Sequence, residues 1–505
     1  MKIRSLPVCL GFSSCLLVFG FVVGRADNPP PGYFLQAKSF YEKGDLSAAK
    51  NVLAKVPESS PDFPQSQLLH IKILLIEDQL DQASGLIKKV LERSPNDPFV
   101  LSAEGLVLLR EGNFLSAEAE LKKSLQFDAN QADAHQAMGR LQLSRLEYDQ
   151  SLNSFKRAIE LAPQMAENYF FQSEAYGALR DYAQQVKSLE KYLSLKPQFT
   201  PERVQNAGAL LTFFRSFEKE AVGGIKDTQR SYEIPFRPFF GLMIIEGYVN
   251  DSGPYRFLVD TGATSTVLSN DLIEQLKIPI VTSAIVRCVG ESGKSPTHLC
   301  KAAKLRMGAL EISNLPVSSF DNRIFQGLID GVLSTSDLAD FLVVLDYPEH
   351  KIRLEPRTAE KGGKGDSLPG PDGTVVNFRM FGNLLLVPVS INGKDNRSFL
   401  LDTGAVMSAL SKRQAAALGI HEDTPDAKIE VEFAGACGVT HSVLGVNDVQ
   451  LGLGKMKKDY AKILAIHLGE ISQEIGSEVS GILGGDFYSN RVVKLDYRKG
   501  MIRIE

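Results

Sequence analysis

The sequence predicts a multidomain chain in which an all-α solenoid of helical repeats precedes two copies of a mainly-β lobe. Three observations predict it. A period of 34 residues runs through residues 30–199. The phrase Phe257-Leu258-Val259-Asp260-Thr261-Gly262-Ala263 returns 142 residues later as Phe399-Leu400-Leu401-Asp402-Thr403-Gly404-Ala405, identical at six of seven positions. The two halves also end alike, with Val344-Leu345-Asp346-Tyr347 echoed by Lys494-Leu495-Asp496-Tyr497.

Taken from the N-terminus, Lys2 and Arg4 precede an apolar stretch from Leu6 to Val23. Gly24-Arg25-Ala26 then supplies small residues where a leader would be cut. Residues 1–26 therefore read as a signal peptide, and the protein as exported, periplasmic or secreted. The other reading is an uncleaved membrane anchor, because about 18 apolar residues approach a spanning length. The 505 residues are 44% apolar and 23% charged, ordinary for globular protein, and a net charge of -4 gives no basic stripe for nucleic acid.

In the repeats, Ala49, Ala83, Ala117, Ser151 and Gln185 share one phase, and Leu53, Ile87, Leu121, Phe155 and Leu189 another. Leu46, Leu80, Phe114, Tyr148 and Tyr182 mark a third, while Pro95, Pro163 and Pro197 close three units. Gly105 and Gly139 fall where two helices would cross closely. Period and phase resemble the tetratricopeptide repeat. The resemblance implies five helix-turn-helix units over 30–199, with a capping helix in 200–221. It also implies a concave surface suited to a protein partner. Ile71 departs, occupying a position the family keeps small.

Residues 222–235 read as a linker, after which the periodicity becomes strand-like. Leu242 to Val249, a turn at Asp251-Ser252-Gly253, and Tyr255 to Val259 form one hairpin pattern. Leu384 to Ile391, Asn392-Gly393 and Ser398 to Leu401 repeat it. Ser269 and Ser411 stand as caps before short helices. Residues 358–373, rich in Gly, Pro and charge, read as a second linker between lobes 236–357 and 374–505.

The phrase itself carries a chemistry. An apolar run reads as a buried strand, and Asp260 or Asp402 stands at its end before a Gly that permits close backbone approach. Two carboxylates brought face to face share a proton, so one serves as base and the other as acid. Such a pair activates water against a peptide carbonyl. No cofactor is implied. His298, His350, His421, His441 and His467 are scattered without metal-ligand spacing.

Each half resembles a retropepsin-like aspartic protease lobe, and the pair resembles a single-chain, two-lobed form of that enzyme over roughly 236–505. The resemblance implies two closed β-barrel lobes, with Asp260 and Asp402 holding the attacking water. It places interlocked side chains at Thr261 and Thr403, and supporting glycines at Gly262 and Gly404. The family's apolar-apolar-Gly element is clear in Ile482-Leu483-Gly484, with Asp486 following. The first lobe departs, having Val332-Leu333-Ser334 and then Ser336 where an Asp is expected, so a Cβ at 334 is expected to crowd the loop carrying Asp260. Thr264 in one lobe corresponds to Val406 in the other.

Val289 to Pro296 and Phe433 to Val439 are either the family's substrate-covering hairpins or ordinary surface turns. Cys288 and Cys300 flank Lys294 symmetrically, so they either bridge across a hairpin or stand as two unpaired thiols; Cys437 is left over as an inert small residue. Ala263 and Ala405 carry no hydroxyl to donate to the neighbouring carboxylate, so a weakly acidic optimum is expected. The leading expectation is an exported aspartic endopeptidase acting on protein or peptide, its repeats recruiting substrate or partner. The alternative is a repeat scaffold with weakly active or inactive lobes. Pairing of lobes within one chain or between chains is left open.

Overall fold

The computed structural model describes residues 32–505 except 198–200, 218–221, 326, 358–367, 369–372 and 395. The 1–26 segment read as a signal, and all of the 358–373 linker but residues 368 and 373, lie outside the described residues.

Five helix pairs form the solenoid: α1 (Tyr33–Glu42) with α2 (Leu46–Leu53), α3 (Phe63–Ile76) with α4 (Leu80–Arg93), and α5 (Pro98–Arg110) with α6 (Phe114–Phe127). α7 (Ala132–Ser144) with α8 (Tyr148–Leu161), α9 (Ala166–Ala178) with α10 (Tyr182–Ser194), and the capping helix α11 (Pro201–Arg215) complete it. The periodic small residues let paired helices touch. A Cβ on Gly105 would stand 2.5 Å from Leu121 Cγ, and one on Gly139 would stand 2.7 Å from Phe155 Cε1. Asp45, Asp97 and Asp181 cap α2, α5 and α10 by accepting first-turn amides. Ile71 is fully buried in the core of the second and third pairs.

Among the described residues the β region comprises a nine-stranded sheet in the first lobe, an eight-stranded sheet in the second, and a six-stranded sheet shared by both. In the shared sheet Phe341–Asp346 pairs antiparallel with Val492–Asp496, Val343 opposite Leu495. The lobes therefore pair within one chain. The 222–235 stretch, expected to be only a linker, contributes two strands: Gly224–Ile225 pairs with Leu310–Phe320, and Tyr232–Pro235 pairs with Lys351–Pro356. Its alternating Tyr232 and Ile234 are buried, which ties the connector into the core.

The solenoid does not hang free. Leu109, Phe114, Leu121, Met138 and Leu141 share one apolar cluster with Phe381, Leu384, Ile471, Ile475 and Val479 of the second lobe. Arg110 donates to the carbonyl of Ser472 at 3.2 Å, and Arg140 to that of Gly476 at 3.0 Å. The face expected to await a partner thus holds, at α5 and α7, the chain's own segment around Gly469–Ile475.

Candidate active site

Each strand that ends in Asp-Thr-Gly is buried because its apolar residues pair in parallel with the apolar-apolar-Gly or -Ser strand. Leu333 lies opposite Val259 and Ser334 opposite Asp260; Leu483 lies opposite Leu401. This holds both loops rigid where the lobes meet. Short helices follow as expected, Asn270–Gln275 capped by Ser269 and Lys412–Ala417 capped by Ser411.

The sequence-predicted residues converge. Thr261 N–H donates to Thr403 Oγ1 and Thr403 N–H to Thr261 Oγ1, both at 3.0 Å. The hydroxyls donate onward to the opposite lobe, Thr261 to the carbonyl of Leu401 at 2.6 Å and Thr403 to that of Val259 at 2.9 Å. Gly262 and Gly404 are needed for a reciprocal reason. A Cβ on Gly262 would stand 2.8 Å from Cγ of Asp402, and one on Gly404 would stand 2.7 Å from Cγ of Asp260. Each glycine thus makes room for the carboxyl of the other lobe.

Gly262 N–H donates to Asp260 Oδ1 at 2.6 Å, and Gly404 N–H reaches Asp402 Oδ1 at 2.8 Å and Asp260 Oδ1 at 3.2 Å. The two carboxyls also interact directly with each other. Burial pushes both above the usual carboxylate range, and the neighbouring charge of Asp260 pushes Asp402 further up. The pair therefore retains one proton where isolated carboxylates would have none.

The first-lobe departures are absorbed. Ser334 does not crowd the loop: its Oγ donates to the carbonyl of Ala263 at 2.7 Å. The expected Asp is not at 336 but at Asp337, whose Oδ2 accepts from Thr266 N–H at 3.2 Å and Oγ1–H at 2.6 Å. Asp486 does the same in the second lobe, accepting from Ser408 N–H at 2.8 Å and Oγ–H at 2.7 Å. The one-residue shift has a cause. The turn after Ser334 is a 3-10 helix, Thr335–Leu338, whereas Gly485–Tyr488 is α-helical, so equivalent carboxylates fall at different offsets. Val406 is exposed, and the carbonyl of Thr264 accepts from Asn383 Nδ2–H at 3.0 Å.

Sequence reasoning missed Tyr488, which is fully buried and donates to the carbonyl of Asp402 at 2.6 Å. It also missed Tyr347, buried against Tyr488 at 6.0 Å between ring centres. Nothing in the local pattern distinguished them from core aromatics.

The cysteine expectation is corrected. Cys288 is bonded to Cys437, Cα to Cα 5.5 Å, and among the described residues Cys300 is the free thiol, buried. Spacing about Lys294 misled because the hairpin turns earlier. Arg287 lies opposite Lys294, so Cys300 falls far down the ladder opposite Ile280. Both expected hairpin tips are present and meet each other: Cys437 N–H donates to the carbonyl of Val289 at 2.7 Å, and Ser292 Oγ–H to that of Cys437 at 2.7 Å. Val289 and Phe433 pack on the same apolar cluster as Ala405.

A pair of structurally equivalent lobes presenting two facing, partly buried aspartates is the architecture of the bilobal aspartic proteases. Comparison agrees, since residues 245–336 and 387–487 match the aspartyl protease family model, and residues 166–199 match the tetratricopeptide repeat model. Both lobes of the β region thus match the retropepsin-like aspartyl protease family, and the helical region before it fits tetratricopeptide repeats.

Among solved structures, the chain is similar to Pseudomonas aeruginosa PilF at 17% identity, covering 37% of this chain and 83% of that one with a TM-score of 0.28. It is similar to the thermophilic tetratricopeptide protein TTC0263 of Thermus thermophilus at 20% identity, covering 35% and 97%, TM-score 0.30. MamA follows at 19% identity, 32% and 94%, TM-score 0.23. Comparison with curated proteins finds no match.

Proposed function

We propose that the protein is an aspartic endopeptidase whose shared proton lies between Asp260 and Asp402. The observation that carries this is the reciprocal fit of Gly262 against Asp402 and Gly404 against Asp260, which leaves both carboxyls facing one space. In the reaction a water between them gives its proton to the ionised carboxylate as its oxygen attacks the peptide carbonyl. The protonated partner gives its proton to the carbonyl oxygen. Collapse of the tetrahedral diol breaks the C–N bond, and the proton held by the first carboxyl passes to the leaving amine. One diol hydroxyl returns its proton to the partner carboxylate as the carbonyl re-forms, restoring the singly protonated pair. The shared proton belongs to the pair, so one of Asp260 and Asp402 is the proton donor in the first step and the other the base.

Ser334 and Asp337 restore the contacts that their sequence positions suggested were lost, which favours an active first lobe over a decayed one. Export is part of the same reading. It is supported by the N-terminal pattern and by the Cys288–Cys437 bond, which persists in oxidising compartments. The repeats serve the protease as a fixed platform and leave their remaining surface to a protein substrate or partner.

The test is cleavage of a diverse peptide mixture, read by mass spectrometry across pH 3 to 8, beside Asp260→Asn and Asp402→Asn. Cutting by wild type and by neither variant is the expected result. Equal cutting by the variants, or none by wild type, would overturn the reading.

A further inference from the structure

The lobes are joined twice. One junction is the shared six-stranded sheet and the Thr261–Thr403 exchange. The other is the pair of hairpin tips, where Cys288 of the first lobe is bonded to Cys437 of the second. The tips are also in backbone contact: Ser292 N–H and Oγ–H both reach the carbonyl of Cys437, at 3.3 and 2.7 Å. A circuit from Asp260 through the first lobe to Cys288, across to Cys437, and back through the second lobe to Asp402 is therefore closed. Every link in it is covalent except the meeting of the two carboxyls, which the shared sheet reinforces.

The roof cannot swing aside as one piece either. The strand Ile280–Arg287 is held near its turn by α11. Asn206 Nδ2–H donates to the carbonyl of Ile285 at 2.8 Å, and Ile285 N–H donates to Asn206 Oδ1 at 3.0 Å. Glu202 pairs with Arg287 at 3.0 Å and with Lys294 at 2.8 Å, one on each strand of the hairpin. Ala209, Phe213 and Phe217 bury apolar area against Ala284 and Leu299. Arg287 also pairs with Glu470 of the second lobe. Solenoid, first-lobe hairpin and second lobe are locked together.

We infer that the space between dyad and bridged tips is a closed passage that a polypeptide enters by a free end. The substrate class is then the unstructured terminus or tail of a protein. A segment held at both ends by folded domains does not enter while the bridge is intact. This rests on the proteolytic reading of Asp260 and Asp402.

The experiment presents one susceptible sequence to the full chain in two ways: as a C-terminal tail on a folded domain, and within a long Gly/Ser-rich linker between two folded domains. The assay is repeated after treatment with a dithiol, which breaks the Cys288–Cys437 S–S bond, gives it two electrons and two protons, and itself closes to a cyclic disulfide. Cys437→Ser provides the same opening without reductant, and intact mass verifies the state of the bridge. With the bridge closed, kcat/KM for the linker is expected to be at least ~100-fold below that for the tail, about 2.7 kcal/mol in barrier. Opening the bridge is expected to remove most of that difference. Linker cleavage as fast as tail cleavage by the bridged enzyme would overturn the inference alone. So would a bridge-open enzyme that cuts the tail and still spares the linker. If neither substrate is cut in any state, the proteolytic reading fails and the inference falls with it.

Discussion

Removing the interlobe disulfide should cost stability on a scale set by the loop it closes. Cys288 and Cys437 are 149 residues apart in sequence. Closing a loop of that length in the unfolded chain removes entropy worth about 5 kcal/mol at room temperature in the chain-entropy treatment. A typical domain is stable by only about 5–15 kcal/mol, so this is a large fraction of the total. The loop spans much of the first lobe, the 358–373 linker and the first half of the second lobe, so the loss should be felt as easier separation of the lobes. The assay is urea denaturation of the oxidised protein, the dithiol-reduced protein and Cys288→Ser/Cys437→Ser, followed by a probe in each lobe. The native thiol count checks the chemistry. Among the described residues, the oxidised protein should expose no reactive thiol and the reduced protein two, Cys288 and Cys437. Cys300, fully buried and with its pKa pushed up to about 11 by burial, should react only on unfolding. A stability loss below about 1 kcal/mol would refute the reasoning, because the bridge would then constrain nothing that the unfolded chain explores.

Other perturbations follow from the site. Both dyad carboxyls have folded-state pKa values raised by burial, so the folded chain holds protons that the unfolded chain releases. Their stability contribution is greatest below the ordinary carboxylate pKa and is lost as pH rises through the raised values. Asp402→Asn should therefore abolish cleavage yet raise the denaturation midpoint at neutral pH, a gain that shrinks toward pH 4. The pH–rate profile should be bell-shaped and weakly acidic, since activity needs one carboxyl charged and one protonated. Ser334→Gly should cost about 1 kcal/mol through loss of the bond to Ala263, whereas Gly484→Ser should be far worse, its Cβ falling 2.5 Å from the carbonyl carbon of Met407; paired denaturation curves decide. Asp337→Ala should lower kcat and stability by about 1–3 kcal/mol, while Ser336→Ala should leave kcat nearly unchanged. Asn206→Ala should speed amide exchange in the 280–300 hairpin and raise KM more than it lowers kcat; exchange as slow as wild type would show that α11 does not hold the hairpin.

Much of the molecule was legible in the linear chain because it is written in short-range repetition. The 34-residue period marked the helix pairs, down to the glycines at 105 and 139 where paired helices touch. The repeated Asp-Thr-Gly phrase indicated two equivalent lobes. Local strand and cap patterns placed Asp260 and Asp402 at strand ends and Ser269 and Ser411 before helices.

What only the tertiary structure decided is a matter of partners distant in sequence. Cys288 was judged against its neighbour in sequence, Cys300, because hairpin register and the approach of the second lobe do not show in spacing. Asp337 looked unremarkable because a 3-10 turn moves the carboxylate by one residue, and helix type depends on the loop it packs beneath. Tyr488 became part of the site only when its hydroxyl met the carbonyl of Asp402. The inner face of the repeats looked open until the second lobe filled part of it. Repetition and periodicity determine which elements form; the meeting of side chains across a folded interface determines what those elements jointly hold.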